Sequence, residues 1–131
     1  MPRPPIHIYI IDDEASMREA YARLMRSAGL LPRTFASVEE FLDAEWTSHA
    51  ACVVADVRMP GVSGLDLPGL LQRHRRSVPV IFVTAHDTEE TRILASRVGA
   101  AGYFRKPVDD QALLDAIEWA LSHGHEIKRI E

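Results

Sequence analysis

Carboxylates at the ends of apolar runs are the residues of this chain that could do chemistry together. "IYIIDDEAS" (8–16) runs four apolar residues into Asp12, Asp13 and Glu14, and "ACVVAD" ends in Asp56. Two further apolar runs finish in groups suited to anionic oxygen: "PVIFVT" in Thr84, and "AGYFR" in the following Lys106 and Pro107. Three aspartates in one crevice repel one another at neutral pH, and they survive by protonating one of their number or by taking a cation between them. Oxygen-only ligands favour Mg²⁺, which, held by two carboxylates, a carbonyl and waters, completes its octahedron with a phosphoryl oxygen. Such a cation neutralises an entering phosphoryl group, so transfer onto a carboxylate becomes feasible. Lys106 then offers an ammonium and Thr84 a hydroxyl to the phosphoryl oxygens, and small Ala85 leaves them room.

The elements that must position these groups are five short apolar runs: 6–11, 32–36, 51–55, 79–84 and 101–105. Each is a strand candidate, and the lack of polar alternation in 8–11 marks a strand buried on both faces. Helical spacing fills the intervals, clearest in Met17, Ala20, Tyr21, Leu24 and Ala28, and in Leu113, Leu114, Ile117, Ala120 and Leu121. Gly29 and Gly99 stand at helix C-termini, Ser37 with Glu40 forms a capping box, and Asp109 or Asp110 opens the last helix. Pro68 is tolerated only in a first turn, which places the start of the third helix near Asp66 or Leu67.

Strand and helix alternating five times predict a doubly wound α/β domain: a parallel sheet, right-handed crossovers and helices on both faces. In such a sheet ligands bind beyond the C-terminal strand ends where strand order reverses, so an order 2-1-3-4-5 gathers Asp12, Asp13 and Asp56 in one crevice.

Composition bounds the alternatives. The 131 residues, 47% hydrophobic, suit a single domain (1–131, core about 6–121). A formal charge of −4 predicts no nucleic-acid contact by this domain itself. No apolar run approaches the roughly 20 residues that span a bilayer, the first residues are too short in apolar run for a signal peptide, and the one cysteine, Cys52, belongs to a core strand. These features together predict a cytoplasmic protein without membrane contact. "RHRR" (73–76) is expected as a solvated helix end, "HGH" (123–125) as part of a loosely attached polar tail over about 123–131, and 1–5 as a loose start.

The pieces "IIDDE", "VVADVRMPGVSGLDL", "VIFVTAH" and "GAAGYFRKP", in this order and spacing, resemble the receiver domain of two-component response regulators from about Ile6 to Leu121. Through "DVRMPGVSGLDL" and "TAH" the chain is most similar to FixJ-type receivers. The resemblance implies the flavodoxin-like (βα)5 fold and a phosphorylation-dependent switch. Asp56 would accept a phosphoryl group from a phosphohistidine of a sensor histidine kinase or phosphotransfer protein. Mg²⁺ would be bound by Asp13, Asp56 and the backbone carbonyl of Arg58, with Asp12 acting mainly through water. Thr84 would hydrogen-bond the phosphoryl group, Lys106 would ion-pair with it, and Tyr103 would change rotamer as Thr84 moves. The Lys106-Pro107 bond would be cis, and the face formed by the fourth helix, fifth strand and fifth helix would serve dimerisation or a downstream effector.

Glu14 reads as the opening acid of the first helix rather than a ligand, and His86 and Arg58 flank the expected water path to the phosphoryl group. On the resemblance the chain is no enzyme in the ordinary sense, catalysing only its own phosphorylation and dephosphorylation. The alternative is a Mg²⁺-dependent phosphohydrolase with an aspartyl-phosphate intermediate; that class carries a D-x-D motif after its first strand, where this chain has adjacent Asp12 and Asp13. Departures from the family pattern are Pro68 and Gly69 in the third helix, Pro32 at the second strand and Val108 after "KP".

Overall fold

The structure, a computed structural model, describes residues 4–127, with side chains to His123. Strands and helices alternate as β1 (His7–Ile11), α1 (Ala15–Ser27), β2 (Leu31–Phe35), α2 (Val38–Asp43), β3 (Ala51–Asp56), α3 (Leu67–Arg73), β4 (Val80–Thr84), α4 (Glu89–Arg97), β5 (Gly102–Arg105) and α5 (Asp110–Ile127). All strand pairs are parallel and the order is β2-β1-β3-β4-β5, the doubly wound arrangement expected from the alternation.

Alternating side chains of the central strands feed two cores. Tyr9, Ile11, Val53, Ala55 and Phe82 pack under Phe41, Leu67, Leu71 and Ala95 of α2, α3 and α4. Ile8, Ile10, Cys52, Val54, Ile81 and Val83 pack under Tyr21, Met25, Leu113 and Ile117 of α1 and α5. Every residue of β3 and β4 is buried, which is why these segments are apolar without alternation. β2, at the edge, is mostly exposed and tolerates Pro32, which cannot donate to a neighbour.

The helix ends follow their sequence signals. Ser37 accepts the Glu40 N–H at 3.0 Å while Glu40 accepts the Ala36 N–H at 3.4 Å, one residue earlier than an ideal capping box. Asp109 caps α5 by accepting the Ala112 N–H at 2.9 Å, and Gly29 and Gly99 take left-handed backbones after α1 and α4. Pro68 lies in the first turn of α3, whose start at Leu67 matches the expectation, and a 3-10 turn over Gly64–Asp66 leads into it. At the other end of α3 the left-handed position is taken by Arg75 (φ 57) rather than glycine.

Two expectations are corrected. Ala20 and Ala28 are exposed; Met17, Tyr21 and Leu24 of the expected stripe do pack on the core, but the face is completed by Ala22 and Met25, which centres it toward their side of the helix. The expected tail begins as helix rather than irregular chain: α5 continues to Ile127, and the His123 ring stacks on Trp119 one turn earlier with centroids 4.6 Å apart. Residues 1–3 and 128–131 lie outside the described residues. Among the described residues no helix is long and apolar enough to cross a membrane.

Cys52 is fully buried in β3, and burial pushes its thiol up to about 12. An acid held protonated in the fold ionises first in the unfolded chain, so its contribution is complete below about 9 and is lost as pH climbs toward about 12. Burial raises Tyr9 and Tyr21 in the same sense. The urea midpoint is therefore expected to fall between pH 9 and 11 by circular dichroism, and to fall less steeply in Cys52→Ala.

Candidate functional site

Strand register assembles the crevice. Ile11 pairs with Ala55, so the residues that follow, Asp12 and Asp56, leave adjacent strands side by side. Asp56 pairs with Val83 and Thr84 with Arg105, which sets Thr84 and then Lys106 along the same edge. The Lys106 N–H donates to the Thr84 carbonyl at 2.8 Å, and the Lys106-Pro107 bond is cis. The crevice opens between β1 and β3, where the chain reverses its winding.

One oxygen from each of Asp12, Asp13 and Asp56 lies within 4.8 Å of the others. Asp12 is 1% exposed, Asp56 6%, and Asp13 faces solvent. The Lys106 ammonium bridges the two buried acids, donating to Asp12 Oδ2 at 2.9 Å and to Asp56 Oδ2 at 3.0 Å. The second oxygens are held by backbone: Asp12 Oδ1 accepts the Glu14 N–H at 2.9 Å, and Asp56 Oδ1 accepts the Arg58 N–H at 3.2 Å. Glu14 is the N-cap residue of α1, as expected of an opening acid, and its side chain makes no cap bond.

Burial raises Asp56 above the usual carboxylate range, the Lys106 hydrogen bond and charge pull it back, and Asp12 pushes it up again. For Lys106 burial works downward, but its hydrogen bonds to Asp12 and Asp56 outweigh that and hold the ammonium above its ordinary value. The acidic trio thus carries more negative charge than its one ammonium offsets. Exclusively oxygen donors around an unbalanced charge fit a hard divalent cation.

Thr84 is fully buried, and its Oγ1 accepts the His86 N–H at 3.0 Å. Arg58 and His86 themselves are exposed beside the crevice. Tyr103, half-buried on β5, sends its hydroxyl to Asp87 Oδ1 at 3.1 Å.

Four contributors to the site were not singled out from the sequence. Gly64 follows β3 so closely that a Cβ there would overlap the Asp56 carbonyl oxygen; "SG" signals a turn, but only the folded loop shows the approach. Ser63 ties the same loop down, its hydroxyl donating to the Val57 carbonyl at 3.0 Å. Arg18 donates to the Asp12 carbonyl at 2.8 Å, anchoring α1 to the strand end. Tyr21 is buried near enough to feel Lys106, Asp12 and Asp56, and its hydroxyl has no hydrogen-bond partner among the described residues.

A parallel α/β sheet with a cation-ready acidic crevice at its switch point is the class that this geometry defines. The chain belongs to the response regulator receiver domain family, whose signature matches residues 8–118. It is 39% identical over 120 residues to the transcriptional regulatory protein TdiR of Thauera aromatica, covering 92% of this chain and 53% of TdiR. Against the transcriptional regulatory protein FixJ of Azorhizobium caulinodans it is 38% identical over 127 residues, covering 97% and 59%. The crystal structure of FixJ-N aligns with a TM-score of 0.81 at 29% identity, covering 92% of this chain and 97% of that one. The chain spans about half the length of the curated relatives it matches. It is accordingly a signalling module of two-component type, with the FixJ-like character its motifs suggested.

Gly64→Ala is expected to destabilise the fold by about 1–3 kcal/mol in urea unfolding, because the added methyl meets backbone rather than a movable side chain.

Proposed function

We propose that this receiver is a phosphorylation-dependent switch in which Asp56 takes a phosphoryl group from the phosphohistidine of a sensor histidine kinase or phosphotransfer protein in the cytoplasm. The observation that carries this reading is the Lys106 ammonium, fixed between Asp12 and Asp56 at 2.9 and 3.0 Å in a crevice with unbalanced negative charge. Asp12, Asp13, Asp56 and the Arg58 carbonyl would hold Mg²⁺, which when bound neutralises the carboxylates and the phosphoryl oxygens.

The residues of the chain do the rest. An ionised Asp56 oxygen forms the new bond to phosphorus as the phosphorus–nitrogen bond of the donor breaks, and the imidazole nitrogen keeps the electron pair. Lys106 exchanges Asp56 Oδ2 for a phosphoryl oxygen without leaving Asp12, so its charge follows the charge being transferred. Thr84 turns its hydroxyl from the His86 N–H to the phosphoryl group, and Tyr103 changes rotamer into the space released. The altered face, α4, β5 and α5 within Thr88 to Leu121, would then mediate homodimerisation or docking to an effector. The only reactions catalysed would be the chain's own phosphorylation and dephosphorylation.

With acetyl phosphate and Mg²⁺, intact mass spectrometry is expected to show addition of one phosphoryl group, lost in Asp56→Asn and after chelation with EDTA. No addition, or addition that survives the substitution, would falsify this reading.

The side chains of Arg58 and His86 stand exposed while their N–H groups contact Asp56 and Thr84, which supports a role in shielding the aspartyl phosphate from water. Arg58→Ala and His86→Ala are each expected to change the first-order loss of the phosphoryl group severalfold. Unchanged rates would remove both residues from that role.

A further inference from the structure

Outside the crevice, the described residues hold one other dense ionic arrangement, on the α4 and β5 surface. Asp87 Oδ1 accepts Arg92 Nε at 2.8 Å and the Tyr103 hydroxyl at 3.1 Å, while Oδ2 accepts Arg92 Nη2 at 2.7 Å. This fork joins the carboxylate to α4 by two parallel bonds, the geometry that makes Arg–carboxylate pairs directional. The Asp87 side chain is only 9% exposed although Arg92 is 65% exposed, so the acid is largely covered in place. The Arg92 hydrogen bond, against some desolvation and with help from Tyr103 and Arg105, holds its carboxyl down at about 2, so it is ionised throughout the physiological range.

Asp87 is also connected to the crevice. It follows directly on His86, whose N–H is anchored on Thr84 Oγ1 at 3.0 Å. A movement that takes the Thr84 hydroxyl away removes this hydrogen bond from the segment carrying Asp87. The same carboxylate is therefore tied at one side to the Thr84 segment and at the other to the ring of Tyr103.

We propose that Asp87, clamped by Arg92, is the holding group of a latch that keeps Tyr103 at the α4–β5 surface and sets the resting bias of the switch against the phosphorylated state. This inference rests on the switch reading above. In the resting chain Tyr103 donates to a carboxylate already oriented by a second partner, so little side-chain freedom remains to be lost when that bond forms. When Thr84 leaves His86, the backbone anchor of the latch goes and Tyr103 is freed. A surface contact that merely supports α4 would contribute to stability in both states equally and would not bias the switch.

The test uses beryllofluoride with Mg²⁺, a phosphoryl mimic, titrated calorimetrically into wild type, Asp87→Ala, Tyr103→Phe and the double variant, with thermal melts recorded in parallel. Asp87→Ala is expected to bind the mimic about fivefold or more tightly than wild type, the scale of an ordinary coupling between sites. Tyr103→Phe, which keeps the ring and removes only the hydroxyl, is expected to shift affinity in the same direction, and the double variant to show less than the product of the two effects. Equal or weaker binding by both single variants, whatever their melting temperatures, overturns the latch while leaving the switch intact. Wild type that binds no mimic overturns the switch and the latch together.

Discussion

Everything at the strand ends depends on one unfavourable fact: Asp12 and Asp56 are buried side by side as acids, and one ammonium is inserted between them. A buried ion pair gains less than its Coulomb attraction suggests, since both partners lose water. Here the sharing is unequal. Lys106 is held above its ordinary value by two carboxylates, whereas burial raises Asp56 even with Lys106 in contact. Backbone N–H groups of Glu14 and Arg58 take the remaining oxygens, so the acids are hydrogen-bonded without being neutralised. The result is a crevice that is satisfied in hydrogen bonds and unsatisfied in charge, the condition for attracting a cation and then an anion.

Holding such a crevice open requires a rigid frame, and the parallel sheet provides one. β1, β3 and β4 are buried on both faces, so their ends cannot shift without disturbing two cores at once. Register then fixes the chemistry: Ile11 opposite Ala55 sets Asp12 beside Asp56, and Thr84 opposite Arg105 sets Lys106 next along the edge. The loop after β3 is drawn tight over this frame by Ser63 and by the bare Cα of Gly64, which lets the chain return against the Asp56 carbonyl.

Much of this was legible in the sequence because it depends on local rules. Unbroken apolar runs ending in Asp, Thr and Lys identify the strands and the end where a ligand binds; helix caps at Ser37, Asp109, Gly29 and Gly99 fix the boundaries. The acidic residues that the structure gathers are the ones those rules selected. What escaped depends on three dimensions. The exposed Ala20 and Ala28 look apolar in a helical count, yet Ala22 and Met25 join Met17, Tyr21 and Leu24 on the core face, and only packing decides between them. The close approach of Gly64 and the lone hydroxyl of Tyr21 arise from contacts between distant elements. So does the bond from Tyr103 to Asp87, sixteen residues apart, since nothing in "AGYFR" says where its ring points.

The two ionic centres among the described residues differ in the kind of constraint they impose. Lys106 with Asp12 and Asp56 is built into the edge of the sheet and is nearly dry, so its geometry is set by the fold. Asp87 with Arg92 joins a loop to a helix, with Arg92 mostly in water, so its strength is modest and its partners can separate without unfolding the core. Thr84 lies between them, buried in the rigid strand but bonded through His86 to the looser segment. A charge arriving at the stiff centre would therefore be felt through one hydroxyl at the soft one. On the proposed switch, a stiff receiver of charge coupled to a soft surface contact would let a small local change alter an outer face while the sheet stays as it is.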